Sequence, residues 1–259
     1  MKTIGHRDVF VPFLAGLIAL AWIVLWAWER SPYGRYLGHG GTGGVEHGHS
    51  HALAQTVIYV GGWLLMTAAM MLPTTLPLVD IFRRMTRQRT DRTQLAALLI
   101  VGYLGVWLAF GFGAHLVDFG LHRVFEHNHW LTHNAWAFGA ALLVVAGAFQ
   151  FSSLKYRCLE KCRAPLAFVV AHWRGSDSRV QALKLGAHHG VYCVGCCWAL
   201  MLLMFAVGTG NVGWMFALGA IMAVEKNVPW GRRLTAPLGA VLIAWGALIV
   251  LDHQWAWQA

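Results

Sequence analysis

The chain consists mostly of long apolar runs separated by short polar connections. Runs at 9–28, 55–79, 95–116, 135–151, 186–207, 212–224 and 236–251 carry almost no charge. A helix needs ~20 apolar residues to cross a ~30 Å hydrocarbon layer, so the pattern predicts an all-α, polytopic transmembrane helix bundle of seven spans. The last two runs are short, and Gly208, Gly210 and Gly213 could fold the fifth and sixth runs into a tight or re-entrant hairpin, which would leave six spans. The first run follows Lys2 and Arg7 and imitates a signal peptide. Trp22, Trp26 and Trp28 crowd its end where small residues would mark cleavage, so it reads as a retained span. The expected organisation is a first span with a polar loop (1–54), a central transmembrane core (55–235), and a last span with its tail (236–259).

Composition sharpens this picture. Of 259 residues, 58% are hydrophobic and 12% charged, about half the ~25% charge of a soluble domain. This composition argues against a soluble single-core protein, and the spans leave no length for a large extramembrane enzyme domain. No repeat of fixed period is visible, so an inverted-repeat transporter plan finds no support. The net charge of +9 comes with no basic stripe interleaved with aromatics, so no nucleic-acid partner is expected.

The charge instead sorts by side. Seventeen of the 20 Lys and Arg residues fall at the N-terminus and in the connections at 80–94, 154–185 and 225–235, against Arg30, Arg35 and Arg123 on the other side. Short cytoplasmic loops carry the positive excess, so the N-terminus is expected in the cytoplasm. Histidine sorts the opposite way: His39, His47, His49, His51, His122, His127, His129, His133 and His253 fall in the outer segments.

The candidate chemistry is sulfur. In the fifth run, His189, Cys193, Cys196, Cys197, Met201 and Met204 recur at three- and four-residue spacing, which puts nitrogen and sulfur donors along one helix face. Cys158 and Cys162, four apart at the inner end of the fourth run, share a face of their own. Five cysteines spaced this way fit metal or redox chemistry better than a secreted disulfide framework. Thiolate and thioether select a soft ion, so Cu(I) is the expected ligand. Zinc is the competitor, since four thiolates, or three with His189, would close a tetrahedral site. Alternatively, Cys and Met are simply adaptable packing residues. Outside, His47, His49 and His51 in a Gly-rich segment could close on one ion, the pattern of a metal-gathering loop. Pro73 and Pro77 are expected to kink the second span, with Met66 and Met70 facing the sulfur stripe. Lys226 reads as interfacial, whereas Glu225 could reach Lys155 or Arg163 and support the thiols from behind.

These motifs resemble a bacterial family of predicted metal-binding integral membrane proteins, classed as a domain of unknown function and sometimes labelled copper chaperones. Trp63, Met66 and Ala69-Met70-Met71-Leu72-Pro73 are similar to its first motif, and Gly102-Tyr103-Leu104 with Trp107 to its second. Gly147 and Gln150, followed by Lys155, Cys158, Cys162 and Arg163, fit its Gly-x-x-Gln turn and Lys-x-x-Cys-Leu-x-x-Cys-Arg pattern. Gly190, Cys193, Gly195, Cys196, Cys197, Trp198, Met201, Gly208, Asn211, Trp214, Met215, Glu225 and Lys226 complete the likeness, which runs from Trp63 to Arg232. The resemblance implies metal binding, chiefly copper, in the bacterial inner membrane, and it supplies no reaction.

Three functions compete at this level. The first is an integral membrane copper handler that stores Cu(I), transfers it to a cuproprotein or metallochaperone partner, or passes it across the lipid; it requires no covalent chemistry. The second is an enzyme, a membrane thiol-disulfide oxidoreductase coupled to quinone, although charge sidedness puts its thiols where the cytosol keeps them reduced. The third is a zinc-tied assembly subunit, in which an oligomer could form. Haem attachment lacks its Cys-x-x-Cys-His motif.

Overall fold

The computed structural model describes residues 10–30, 49–127, 134–175, 177–207 and 211–256. Among them the regular structure is all helical: α1 (Phe10–Glu29), α2 (His49–Met85), α3 (Arg92–His127), α4 (Ala135–Phe149), α5 (Ser153–Arg163), α6 (Pro165–His172), α7 (Ser178–Val207), α8 (Val212–Asn227), a 3-10 turn (Gly231–Leu234) and α9 (Thr235–Ala256). Five segments are long and apolar enough to cross a membrane: Pro12–Glu29, Val60–Met85, Arg92–Leu121, Ser178–Met204 and Gly231–His253. The pair α4 and α5, bent by 63° at its break, makes a sixth if counted as one broken span. A count of seven would also need α8, which has only 16 residues.

Helix α7 is the centre of the bundle, in contact with α3, α4, α5, α6 and α8. Its apolar window and that of α2 are each 56% buried, against 17% for α1 and 22% for α9, so α1 and α9 lie at the periphery. The α3–α7 pair is the most extensive, and glycine sets its separation. A Cβ on Gly102 would strike the Leu183 carbonyl, one on Gly186 the Leu99 carbonyl, and one on Gly190 would sit 3.1 Å from the Tyr103 carbonyl. Small residues one turn apart let helix backbones approach closely inside a membrane bundle. The α4–α9 pair uses the same device: a Cβ on Gly147 would lie 2.8 Å from the Gly239 carbonyl, and one on Gly239 2.8 Å from that of Gly147.

The two prolines of α2 lie within one unbroken helix, and the first serves as a docking point. Pro73 has no N–H to give to the Ala69 carbonyl. The indole of Trp22 on α1 donates to that oxygen instead, at 3.1 Å. Thr74 and Thr75 turn their hydroxyls back onto the Met71 and Leu72 carbonyls at 2.8 and 2.9 Å.

The basic stretch 154–185, expected as a connection, folds into α5, α6 and the first turns of α7. Ser152 caps α5 by accepting from the Lys155 N–H, and Pro165 opens α6. Phe168 and Val169 of α6 complete a second apolar core with Phe82, Leu95, Leu99 and Leu185. Polar composition concealed α5, which buries a narrow face, whereas α6 is apolar but only eight residues long, too short to register as a run. The turn after α2 is tied down by Arg89, whose guanidinium donates to Asp91 at 2.9 and 3.1 Å and to Ser178 Oγ at 2.9 Å. That hydrogen bond holds the Asp91 carboxyl below the usual carboxylate range.

Candidate metal centre

Helix α7 begins at Ser178, eight residues before the apolar run from which its start was expected, so Cys193 stands ~22 Å along the helix and not near an end. Cys193, Cys196, Cys197, Met201 and Met204 are all buried, and all five cysteines carry free thiols. Cys196 Sγ lies 3.4 Å from Cys197 Sγ and donates to the Cys193 carbonyl at 3.2 Å. Across the helix interface, Cys162 Sγ of α5 stands 4.0 Å from Cys196 Sγ. Cys158 packs on the α7 backbone, where a Cβ added to Gly195 would lie 2.6 Å from its Sγ. Both thiols of α5 therefore face α7.

Helix α8 closes the site with charge. Lys226, expected at an interface, is buried, and its ammonium donates to Cys193 Sγ at 2.8 Å and to Thr74 Oγ1 at 3.4 Å. Met71 Sδ is 3.9 Å from the same nitrogen. The expectation failed because a lysine next to the polar end of a helix looks the same in sequence whether it snorkels or turns inward. On the other side of Cys193, the Tyr103 hydroxyl is 3.0 Å from Sγ and 3.4 Å from the Met71 carbonyl. Close α3–α7 packing at Gly190 brings Tyr103 within this reach.

Glu225 meets the expectation made for it. Its carboxylate accepts from Lys155 Nζ at 3.1 and 2.9 Å and from Thr235 Oγ1 at 3.1 Å, with the Lys155 and Glu225 side chains 0% and 1% exposed. Lys155 also donates to Gln150 Oε1. Arg163 takes backbone oxygens instead, donating to the carbonyls of Glu225 and, at 2.8 Å, Pro229. These contacts lock α5, and with it Cys158 and Cys162, against α8 and α9.

The remaining expected donors are distributed less favourably. His189 is buried between the rings of Tyr103 and Phe168, with centroids 5.9 and 5.4 Å away, and its Nδ1 has no hydrogen-bond partner among the described residues. Met70 packs on Gly219, Met66 and Met70 share the apolar core of the cysteines, and Met71 reaches the Lys226 ammonium beside Cys193. His47 lies outside the described residues; for His49 and His51 the structure describes only the start of α2. His127 pairs with the Arg123 carbonyl at 2.8 Å, and the His253 ring lies tilted against Trp136 with centroids 4.2 Å apart. Sequence reasoning passed over Tyr103, Thr74 and Lys226 as neighbours of a thiol. The available signal was a lone lysine beside an acid on a helix otherwise almost free of charge.

The sulfurs form a row, not a finished cage: among the described residues no group of three or more His, Cys, Asp or Glu stands ready to hold a metal ion. At a metal–sulfur distance of ~2.3 Å, two sulfurs lie ~3.8 Å apart on a tetrahedral centre, ~4.0 Å on a trigonal one and ~4.6 Å on a linear one. The 4.0 Å between Cys162 and Cys196 is within this range, so an ion of low coordination number could bridge them with small side-chain shifts. A family model described as copper chaperone matches residues 60–249. The chain belongs to this family, PpoB2. The match takes in every cysteine, His189, Tyr103, Glu225 and Lys226, and leaves out His47, His49 and His51. No curated protein and no solved structure matches the chain.

Proposed function

We propose that this copper-chaperone family member is a bacterial inner-membrane protein that holds Cu(I) on thiolates of α5 and α7 and releases it to a cuproprotein or metallochaperone partner. The carrying observation is the 4.0 Å approach of Cys162 Sγ to Cys196 Sγ, with Cys197 Sγ 3.4 Å beyond. A single ion on two or three of these sulfurs leaves the others free for stepwise ligand replacement, which is how a bound ion can move without ever being released to water. Soft sulfur donors with no carboxylate among them suit Cu(I) and disfavour hard cations. The one-sided distribution of Lys and Arg supports a cytoplasmic N-terminus, and six or seven spans when α8 and the bent α4–α5 pair are counted. Residues His47, His49 and His51 would gather ions on the outer side, and Met201 and Met204 would extend the sulfur row along α7.

Cu(I) is favoured over zinc because the buried thiols continue along α7 into Met201 and Met204, and thioether sulfur suits the softer ion. A thiol oxidoreductase would need an accessible working thiolate, whereas all five thiols are buried. X-ray absorption of the anaerobically copper-loaded protein tests the assignment. A first shell of two or three sulfurs is expected; a shell dominated by nitrogen or oxygen would contradict it.

A further inference from the structure

Three imidazoles gather where α6 meets α7. His189 is buried, and its Nδ1 has no hydrogen-bond partner among the described residues. A polar atom buried and unpaired is costly, so the position favours a partner that arrives from outside the chain. The other two, His172 at the end of α6 and His188 in α7, are exposed, with ring centroids 5.4 Å apart. His172 Nδ1 lies 2.9 Å from the Phe168 carbonyl, which can only accept, so Nδ1 carries the proton and Nε2 of the neutral ring presents its lone pair. Histidines that bind metals are commonly oriented in this way, with the second ring nitrogen on a backbone carbonyl. At a metal–nitrogen distance of ~2.0 Å, two imidazoles sharing an ion have centroids roughly 5 Å apart at a tetrahedral angle and roughly 6 Å apart in line. The observed 5.4 Å is within this span.

One ring separates the surface pair from the buried imidazole. Phe168 stacks on His172 with centroids 4.5 Å apart and meets His189 edge-on at 5.4 Å. His189 lies four residues before Cys193, on the same face of α7. Tyr103 borders both, its ring 5.9 Å from that of His189 and its hydroxyl 3.0 Å from Cys193 Sγ. The row thus runs from the surface of α6, in the segment rich in Lys and Arg, to the first thiol of α7.

We propose that His172 and His188 form a surface port for a soft monovalent ion, which passes Phe168 to His189 and from there to Cys193. This rests on the reading of the thiols as a Cu(I) holder. Imidazole accepts copper but is a harder donor than thiolate, so the port binds the ion more weakly than the sulfurs do and fills without trapping it. Each transfer replaces one ligand by the next, with no change in oxidation state. A port lowers the barrier equally in both directions, so it sets how fast copper enters and leaves, not how much is held.

The test follows Cu(I) exchange between a coloured chelator and the full-length protein in detergent, without oxygen. Wild type is compared with two double variants. His172→Phe with His188→Phe keeps the aromatic packing and removes the donors, whereas His172→Met with His188→Met supplies soft donors again. Losing even a hydrogen-bond partner of a ligating imidazole costs about 10–100-fold in metal affinity, so losing both imidazoles should slow uptake and release by about tenfold or more. The copper held at equilibrium should match the wild type in all three proteins, and the Met pair should recover most of the rate. Exchange by the Phe pair within about twofold of wild type, a Met pair as slow as the Phe pair, or a fall in held copper as large as the fall in rate would overturn the inference and leave the copper reading standing. A wild type that takes up no copper would overturn both.

Discussion

Replacing Glu225 by Gln tests whether the ion pair behind the thiols holds α5 in position. The wild-type carboxylate receives Lys155 Nζ on both oxygens, at 3.1 and 2.9 Å, and a hydroxyl from Thr235, with both charged side chains out of solvent. In Glu225→Gln the ammonium keeps Gln150 Oε1 but loses its anion, and the new amide NH2 points a donor at it. Breaking a buried pair on one side costs about 3–5 kcal/mol, because the surviving charge is stranded. The double variant Lys155→Met with Glu225→Gln strands no charge and should recover most of that loss, finishing within about 1–2 kcal/mol of wild type. Lys155, Cys158 and Cys162 lie on one face of α5, so copper capacity should fall with the single variant and return with the double. Denaturant titration in detergent, followed by tryptophan fluorescence, measures the stability cycle, and metal analysis follows the capacity. A single variant within about 1 kcal/mol of wild type, or a double variant no better than the single, would refute the argument.

Two further substitutions probe the walls of the site. Gly195→Ala would place a Cβ 2.6 Å from Cys158 Sγ, so the Cys158 thiol must turn aside or α5 must back away from α7. Overpacking of this kind costs about 1–3 kcal/mol and should show as lower thermal stability with weakened copper binding. Tyr103→Phe removes the hydroxyl from Cys193 and from the Met71 carbonyl but leaves Lys226 on the sulfur. It should cost about 1 kcal/mol and change copper affinity by less than about tenfold, checked by competition titration.

The long apolar helices were legible in the sequence because a helix able to cross a membrane is a length of uninterrupted apolar residues, and α1, α2, α3, α7 and α9 show it directly. What the runs could not reveal were helices with a narrow buried face. In α5 the inward positions are Lys155, Cys158, Leu159 and Cys162 among outward charges, and the mean reads as polar. The convergence of α5 and α7 was legible from the four-residue spacing of Cys158 and Cys162, since both point the same way on a helix. Partner choice was harder to read. Pro73 signalled a gap in the helix hydrogen bonds, but not that the Ala69 carbonyl it leaves over would receive Trp22, 47 residues before it. Met66 and Met70 share a face, but the rotation of α2 that presents Met71 to Lys226 depends on packing that no local pattern encodes. Lys226 shows the same limit: only the positions of α2, α3 and α7 around α8 tell a buried counter-ion from an interfacial lysine.

The central claim is that the thiols of α5 and α7 are what hold the metal. The most direct measurement is the copper content of protein purified anaerobically after Cu(I) loading, for wild type against a variant with Cys162, Cys193, Cys196 and Cys197 all changed to Ser. The account predicts tightly held copper in the wild type and its loss in the variant, with folded protein recovered in both. Copper retained in full by the variant would contradict it.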